Sequence, residues 1–326
     1  MTTSQTFLET LVGLHSEQAY LSLLNAMPVM LWTADAEGIW HHINGRWAEY
    51  TGLTGEALGF GFEEALHPDD IAPTVARWQA SITSGENYAI EYRLRHQDGT
   101  YRWFLIRGVR VTDESGRSVA WVGTCTDIEE RKRAEQAALA AREAALRALG
   151  LALEARDRET QGHTDRVTGE VLRLGRALNL TPGQLDALRL GAYLHDLGKM
   201  AVPDRILLKP GPLTADERAE MQTHAAEGER LAGALGFIPP PALELVRHHH
   251  ERWDGQGYPD RLTGEAIPLL ARIFAVVDVY DALISERPYK RAWTRQEALT
   301  ELRTEAGRQL DPRVVEVFVG QLASGD

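Results

Sequence analysis

Cysteine is almost missing from this chain: Cys125 is the one thiol among 326 residues. A lone cysteine excludes an internal disulfide, and a reducing cytoplasm is the expected location. Long apolar runs are missing too. None approaches the roughly 20 residues that cross a bilayer, so no membrane span is expected. The opening MTTSQTFLET has no basic stretch followed by an apolar one, so no signal peptide is expected. Basic charge is in deficit, with 35 Lys and Arg against 47 Asp and Glu, net −12. That balance argues against nucleic acid or an anionic membrane as a partner. Histidine is scarce, eleven in all. Yet three of the eleven stand together in RHHHERWDGQGYPD, residues 247–260. A solvated surface run would explain HHH by itself; it becomes informative only if other ligand-type residues converge on it.

The rest of the composition, 44% hydrophobic and 25% charged, is that of a globular protein long enough for two domains. Residues 1–27 have Leu11, Leu14, Leu21 and Leu24 near helical spacing. A change of texture follows. Tyr88, Ile90, Tyr92 and Leu94 alternate as one face of a strand, QDGT turns the chain at 97–100, and a second strand covers about 101–111. DESG turns it again, and a third strand to about 126 puts Val119, Trp121, Gly123 and Cys125 on one face. This is an antiparallel meander. Six of the eight tryptophans precede residue 128, as one small compact core requires. From 127 to 159 the chain is rich in Ala, Glu and Arg, and Leu139, Leu146 and Leu153 repeat at seven with Leu149 between. That spacing predicts a helix with a short coiled-coil seam and a homodimer, although Arg142 sits in the seam. Beyond 159 the apolar periodicity is helical throughout, and Thr214 with Glu217 reads as a capping box. The expected organisation is an N-terminal helix (1–19), an α+β domain (20–128), a linker helix (129–157) and an all-α helical bundle (158–326).

The chemistry concentrates in the helical part. Glu159 and His163 are four apart and share a helix face. His195 and Asp196 lie in LRLGAYLHDLGKM, where burying the pair is costly unless it binds something positive. Lys199 follows on the same side. His224 falls on the apolar face of TADERAEMQTHAAEGERLAGAL, and Asp278 stands between valines in the most apolar helix of the chain. Each has a bland reading: an ordinary helix pair, a satisfied core histidine. A ligand-type residue on the inward face of each of four helices, with His249 and His250 as a further source, does not. Histidine and carboxylate ligands without cysteine suit iron or manganese better than structural zinc. Eight ligands exceed one ion, so two or three ions are expected, with a carboxylate such as Asp196 between them. Two close metals activate water and clamp a phosphoester, so phosphoester hydrolysis is the expected chemistry.

Two resemblances follow. LWTADAEGIWHHINGRWAEYTGLTGEALG, HPDD at 67–70, EYRLRHQDGTYRWF and VGTCTDIEERKRAE resemble a PAS sensor domain over about 20–130. That family has a five-stranded antiparallel sheet flanked by helices. No PAS ligand is assigned: Cys125 falls in a predicted strand and reads as a small core residue, and His41, His42, His67 and His96 are scattered. HDLGK, the later His224, HHERWDGQGYP and DVYDALISERPYKRAW, in this order, resemble the HD-GYP domain, a subgroup of the HD phosphohydrolases that cleaves cyclic di-GMP, over about 157–320. The resemblance implies metal ligands at Glu159, His163, His195, Asp196, His224, His249, His250 and Asp278. It implies Lys199 beside the metals and the scissile phosphate, and Arg287 and Lys290 on the dinucleotide's phosphates or guanine. It makes Gly257-Tyr258-Pro259 a turn that shapes the substrate pocket and contacts partners, a diguanylate cyclase (GGDEF) protein among them. Ile284 departs from the family, in which Thr is common. Having both Glu159 and His163 favours three metals over two. His248 has no assigned role and is expected at the surface. The expected activity is a PAS-regulated cyclic di-GMP phosphodiesterase giving pGpG, with GMP as a further product. A hydrolase of another nucleotide, or a module that senses cyclic di-GMP without cutting it, are the rival readings.

Overall fold

The computed structural model describes residues 17–59, 61–157, 162–286 and 291–324. Glu159, Arg287 and Lys290 lie outside the described residues, as does the first part of the expected N-terminal helix with Leu11 and Leu14. The chain forms two compact units, Met1–Leu139 and Ala140–Asp326.

The first unit is built on strands β1 (Met30–Asp35), β2 (Trp40–Ile43), β3 (Tyr88–Arg95), β4 (Tyr101–Thr112) and β5 (Ser118–Asp127). They form one antiparallel sheet in the order β2-β1-β5-β4-β3. The expected meander is β3-β4-β5, and its turns use Gly99 and Gly116 in the left-handed region. Helices α1 (Glu17–Ala26), α2 (Gly45–Thr51) and α3 (Pro68–Ser84) accompany the sheet. Tyr88, Tyr92, Leu94, Phe104, Ile106, Trp121 and Cys125 are buried together with Trp32, Trp40, Trp47 and Trp78. Burial also pushes the Cys125 thiol up, consistent with an inert core residue. Val119 departs from its expected face-mates: near the start of β5 it is 42% exposed. Asn44 is fully buried and ties three segments, accepting from the Leu31 amide at 3.0 Å and donating to the Val29 carbonyl at 2.7 Å and the Leu24 carbonyl at 3.3 Å.

Helix α4 (Glu129–Asp157) covers the predicted linker. Its leucines do not share one environment. Leu146 and Leu153 are buried in the core of the helical unit, whereas Leu139 and Leu149 are exposed. The physical reason is Gly150. A Cβ there would meet the Tyr193 carbonyl at 2.9 Å and Thr164 Cγ2 at 3.1 Å, so only glycine lets the helix lie this close to its neighbours. The C-terminal half of α4 is thus part of the helical core. The rest of that unit is α5 (His163–Ala177), α6 (Pro182–Leu194), α7 (Asp204–Leu207), α8 (Ala215–Gln222), α9 (His224–Gly233), α10 (Pro240–His248), α11 (Leu269–Ile284), α12 (Arg295–Glu305) and α13 (Pro312–Ser324). The capping box at Thr214 and Glu217 starts α8, and equivalent boxes start α6 and α12. Among the described residues, no helix is long and apolar enough to cross a membrane.

Glycine at 123 is a requirement of the N-terminal core. A Cβ there would stand 2.2 Å from the Trp32 ring and 2.7 Å from the Arg107 carbonyl oxygen. Gly123→Ala is therefore expected to cost about 1–3 kcal/mol through overpacking. Calorimetry of the full chain would show it as a lowered melting transition for the first unit, with the second unchanged.

Candidate metal centre

Four buried histidines open the site, and their backbone surroundings decide which nitrogen each one offers. His195 follows the last residue of α6, and its Nδ1 donates to the Ala192 carbonyl at 2.8 Å. His224, the first residue of α9, donates from Nδ1 to the Met221 carbonyl at 2.8 Å. His249, just past α10, donates to the Val246 carbonyl at 2.8 Å. A carbonyl only accepts, so each Nδ1 carries the proton and each Nε2 is presented inward. His163, the first residue of α5, reaches the same state by another route: its Nδ1 donates to Asp281 Oδ2 at 2.8 Å. Arg166 grips the same carboxylate, with Nε 2.7 Å from Oδ1. Burial opposes the Asp281 charge, but the His163 and Arg166 hydrogen bonds outweigh it and hold the carboxyl at about 2. A carboxylate behind a ligating imidazole is the usual second support of a metal site.

The Nε2 atoms converge on Asp196. Its Oδ2 is 3.1 Å from His195 Nε2 and 2.6 Å from Lys199 Nζ. Its Oδ1 faces His224 Nε2 at 3.4 Å and His249 Nε2 at 3.8 Å. This oxygen is buried and, among the described residues, has no hydrogen-bond donor. Asp196, His224, His249 and His250 each bring one ligand atom within 4.8 Å of the others. On the other side, His163 Nε2 lies 3.5 Å from Asp278 Oδ1, and its ring is 5.7 Å from that of His195. The two oxygens of one carboxylate thus face different imidazoles, Oδ2 that of His195 and Oδ1 those of His224 and His249. Burial lowers His224, drives His249 well below its usual range and brings His250 to about 3, so these imidazoles are neutral. For His195 burial opposes the proton, but Asp196 and Asp278 outweigh it and raise the imidazole to about 9. A buried donorless carboxylate oxygen facing neutral imidazoles fits a divalent cation.

Local sequence explains how the pieces meet. The chain breaks from helix at Asp196 into a 3₁₀ turn, Leu197–Ala201. A Cβ at Gly198 would lie 1.8 Å from the His224 carbonyl oxygen. Glycine after HDL is what lets the turn touch α9 and bring Asp196 to His224. The stretch expected as one helix around His224 is two, α8 and α9, broken at Thr223, whose hydroxyl donates to the Glu220 carbonyl at 2.7 Å. Lys199 lies between two carboxylates, with Asp157 Oδ2 at 2.9 Å. Arg156 donates to the Lys199 and Val202 carbonyls at 3.0 and 2.9 Å. Glu154 accepts from the amides of Gly162 and Thr164, on either side of His163. The last turn of α4 therefore holds both the His163 segment and the Lys199 turn.

His248, the first of the three histidines, turns away from this group. Its Nε2 is 2.9 Å from Asp260 Oδ2 and its Nδ1 2.9 Å from the Glu244 carbonyl. The turn at Gly257, Tyr258 and Pro259 closes over His250: the Tyr258 ring lies 4.8 Å from the His250 ring, tilted 31°. Sequence reasoning missed Asp157, Asp281, Glu154 and Glu251. Asp281 had a signal, a second acid three residues after Asp278 in an otherwise apolar helix. The others stand among many charges and had none.

The family described as HD domain matches residues 148–314, and the family described as PAS fold matches 41–125. "Cyclic di-GMP phosphodiesterase response regulator RpfG" of Xanthomonas campestris pv. campestris is 45% identical over 200 residues, 61% of this chain and 50% of that protein. "3'3'-cGAMP-specific phosphodiesterase 2" of Vibrio cholerae is 43% identical over 172 residues, 52% of this chain and 33% of that protein. A "cyclic di-GMP phosphodiesterase" of Thermotoga maritima is 40% identical over 175 residues, 53% of this chain and 48% of that protein. The chain spans half or less of the length of these curated relatives. HDLGK and HHERWDGQGYP both fall inside the matched helical stretch, and the chain belongs to the HD domain family, with a PAS fold ahead of its HD domain.

Proposed function

We propose that this protein is a metal-dependent phosphodiesterase that hydrolyses cyclic di-GMP to linear pGpG, under the control of its PAS fold. The observation that carries the reading is the Asp196 carboxylate, with one oxygen toward His195 and the other, donorless, toward His224 and His249. His163, His195, Asp278 and Asp196 Oδ2 would hold one ion; Asp196 Oδ1, His224, His249 and His250 would hold a second. Glu159 is the proposed further ligand of a third. Bound divalent ions supply Lewis acidity, lowering the pKa of a water and neutralising phosphate oxygens.

The residues do the rest. Asp281 and the three carbonyls keep the imidazoles in the ligating tautomer. Lys199, anchored by Asp157, puts a fixed positive charge beside Asp196 where a phosphodiester's charge needs neutralising. Arg287 and Lys290 are proposed to hold the dinucleotide. Hydrolysis adds water across one phosphorus–oxygen ester bond, the hydroxyl going to phosphorus and the proton to the leaving ribose oxygen. Relatives named for cyclic di-GMP or for 3'3'-cGAMP phosphodiesterase activity support a cyclic dinucleotide as substrate. The cGAMP names carry a second reading, in which 3'3'-cGAMP is the preferred substrate. A homodimer and a diguanylate cyclase partner complete the proposal.

Purified chain supplied anaerobically with Fe(II) or Mn(II) is expected to convert cyclic di-GMP to pGpG, and chelation to abolish turnover. Chromatography of the products decides it: no linear product overturns the reading, and faster loss of 3'3'-cGAMP selects the second one. Asp281→Asn removes the charge behind His163 and is expected to weaken metal binding by about 10–100-fold, read by metal titration. Lys199→Ala is expected to keep the metals while turnover falls by roughly 10²-fold or more, as when one charge-stabilising donor is removed. Wild-type turnover in that variant would remove Lys199 from the mechanism.

A further inference from the structure

The Gly257–Pro259 turn lies on His250, and something must hold it there. The backbone approach is close: a Cβ at Gly257 would be 2.6 Å from the His250 carbonyl oxygen and 2.5 Å from Glu251 Cα. The Tyr258 amide donates to that carbonyl at 3.3 Å, a weak tie by itself. Glu251 supplies a stronger one. Its carboxylate is buried, 4% exposed, and accepts from the amides of Asp260 at 2.7 Å and Leu262 at 3.1 Å. Each oxygen of one side chain takes a separate backbone donor just past the turn. Farther out, Arg247 forms a two-pronged pair with Asp260, at 2.7 and 2.9 Å, and reaches Glu229 with its remaining arm at 2.8 Å. His248 adds a contact to Asp260 at 2.9 Å. Glu229 is on α9, which begins with His224. Arg247 and His248 end α10, which leads into His249 and His250. One cluster thus joins the two segments that face Asp196 Oδ1 to the turn that covers His250.

We propose that Glu251, together with the Arg247–Asp260–His248 cluster, is a positioning group: it fixes Tyr258 against His250 and so sets the geometry of the His224, His249 and His250 half of the metal centre. The inference rests on the metal-dependent reading above. It gives His248 a task distinct from its two neighbours: the second and third histidines of the run face the centre, and the first fastens the turn that covers it. Glu251→Gln is a sharp probe because the amide keeps the shape but turns one acceptor into a donor facing another donor. Asp260→Asn tests the outer cluster from a partly exposed position, where misfolding is not a concern.

The test is Mn(II) binding to the full chain, by calorimetric titration and by the electron paramagnetic resonance signal of paired Mn(II), at a temperature where thermal melts show every variant folded. Wild type is expected to bind at least two ions. Both variants are expected to lose about 10–100-fold in affinity for one ion, with the paired signal reduced. A role confined to stability would lower the melting temperature and leave both readouts as in wild type. Unchanged affinity and signal in both variants overturns the inference. If Glu251→Gln gives no cooperative melt, Asp260→Asn decides alone on the same criterion. Wild type that binds Mn(II) but leaves cyclic dinucleotides intact overturns the proposed activity and not this inference, whereas wild type that binds no Mn(II) overturns both.

Discussion

A carboxylate buried with one oxygen donorless is the constraint around which the helical unit is arranged. An uncompensated buried charge costs several kcal/mol after relaxation, so Asp196 is tolerable only where positive charge is close. Lys199 answers one oxygen at 2.6 Å. The other, among the described residues, faces neutral imidazole nitrogens, which cannot satisfy it as they stand. Burial opposes the charge of Asp196, yet Lys199 and His195 hold its carboxyl well below the usual range, so it is ionised. A site that keeps a charge and sets neutral imidazoles against its open oxygen is arranged for a cation rather than a proton.

The arrangement depends on backbone contacts as much as on ligands. Gly198 against the His224 carbonyl, Gly150 against Tyr193 and Gly257 against His250 each place a chain segment where any side chain would intrude. These contacts fix three of the segments that meet at the centre, and hydrogen bonds donated to i−3 carbonyls set the imidazoles of His195, His224 and His249. The last turn of α4 acts within the same frame, since Glu154, Arg156 and Asp157 hold the segments of His163 and Lys199.

Much of this was legible in the sequence. Alternation and turn residues marked β3, β4 and β5 nearly to the residue, because strand period and Asp-Gly or Ser-Gly turns are local properties. His195, Asp196, His224 and Asp278 stood out because a polar ligand type on an apolar face needs a reason. The seam of Leu139, Leu146, Leu149 and Leu153 misled in part. A heptad spacing says that a helix has an apolar stripe, not what covers it, and Leu146 and Leu153 are covered by the helices of their own unit. The break at Thr223 and the fastening by Glu251 depend on tertiary neighbours, and nothing in the local pattern announces them. Glu159, Arg287 and Lys290 fall outside the described residues and stay as proposed.

The stacked indoles of the first unit have an optical consequence. Trp32 and Trp40 lie 4.7 Å apart and 6° from parallel, with Trp78 edge-on to Trp32 at 5.4 Å. Indoles this close share their electronic transitions, so their near-ultraviolet dichroism reports mutual geometry rather than each ring alone. Six of the chain's eight tryptophans belong to this unit. The first unit therefore carries its own spectroscopic label, and a rearrangement of its core would be visible by light without adding a probe.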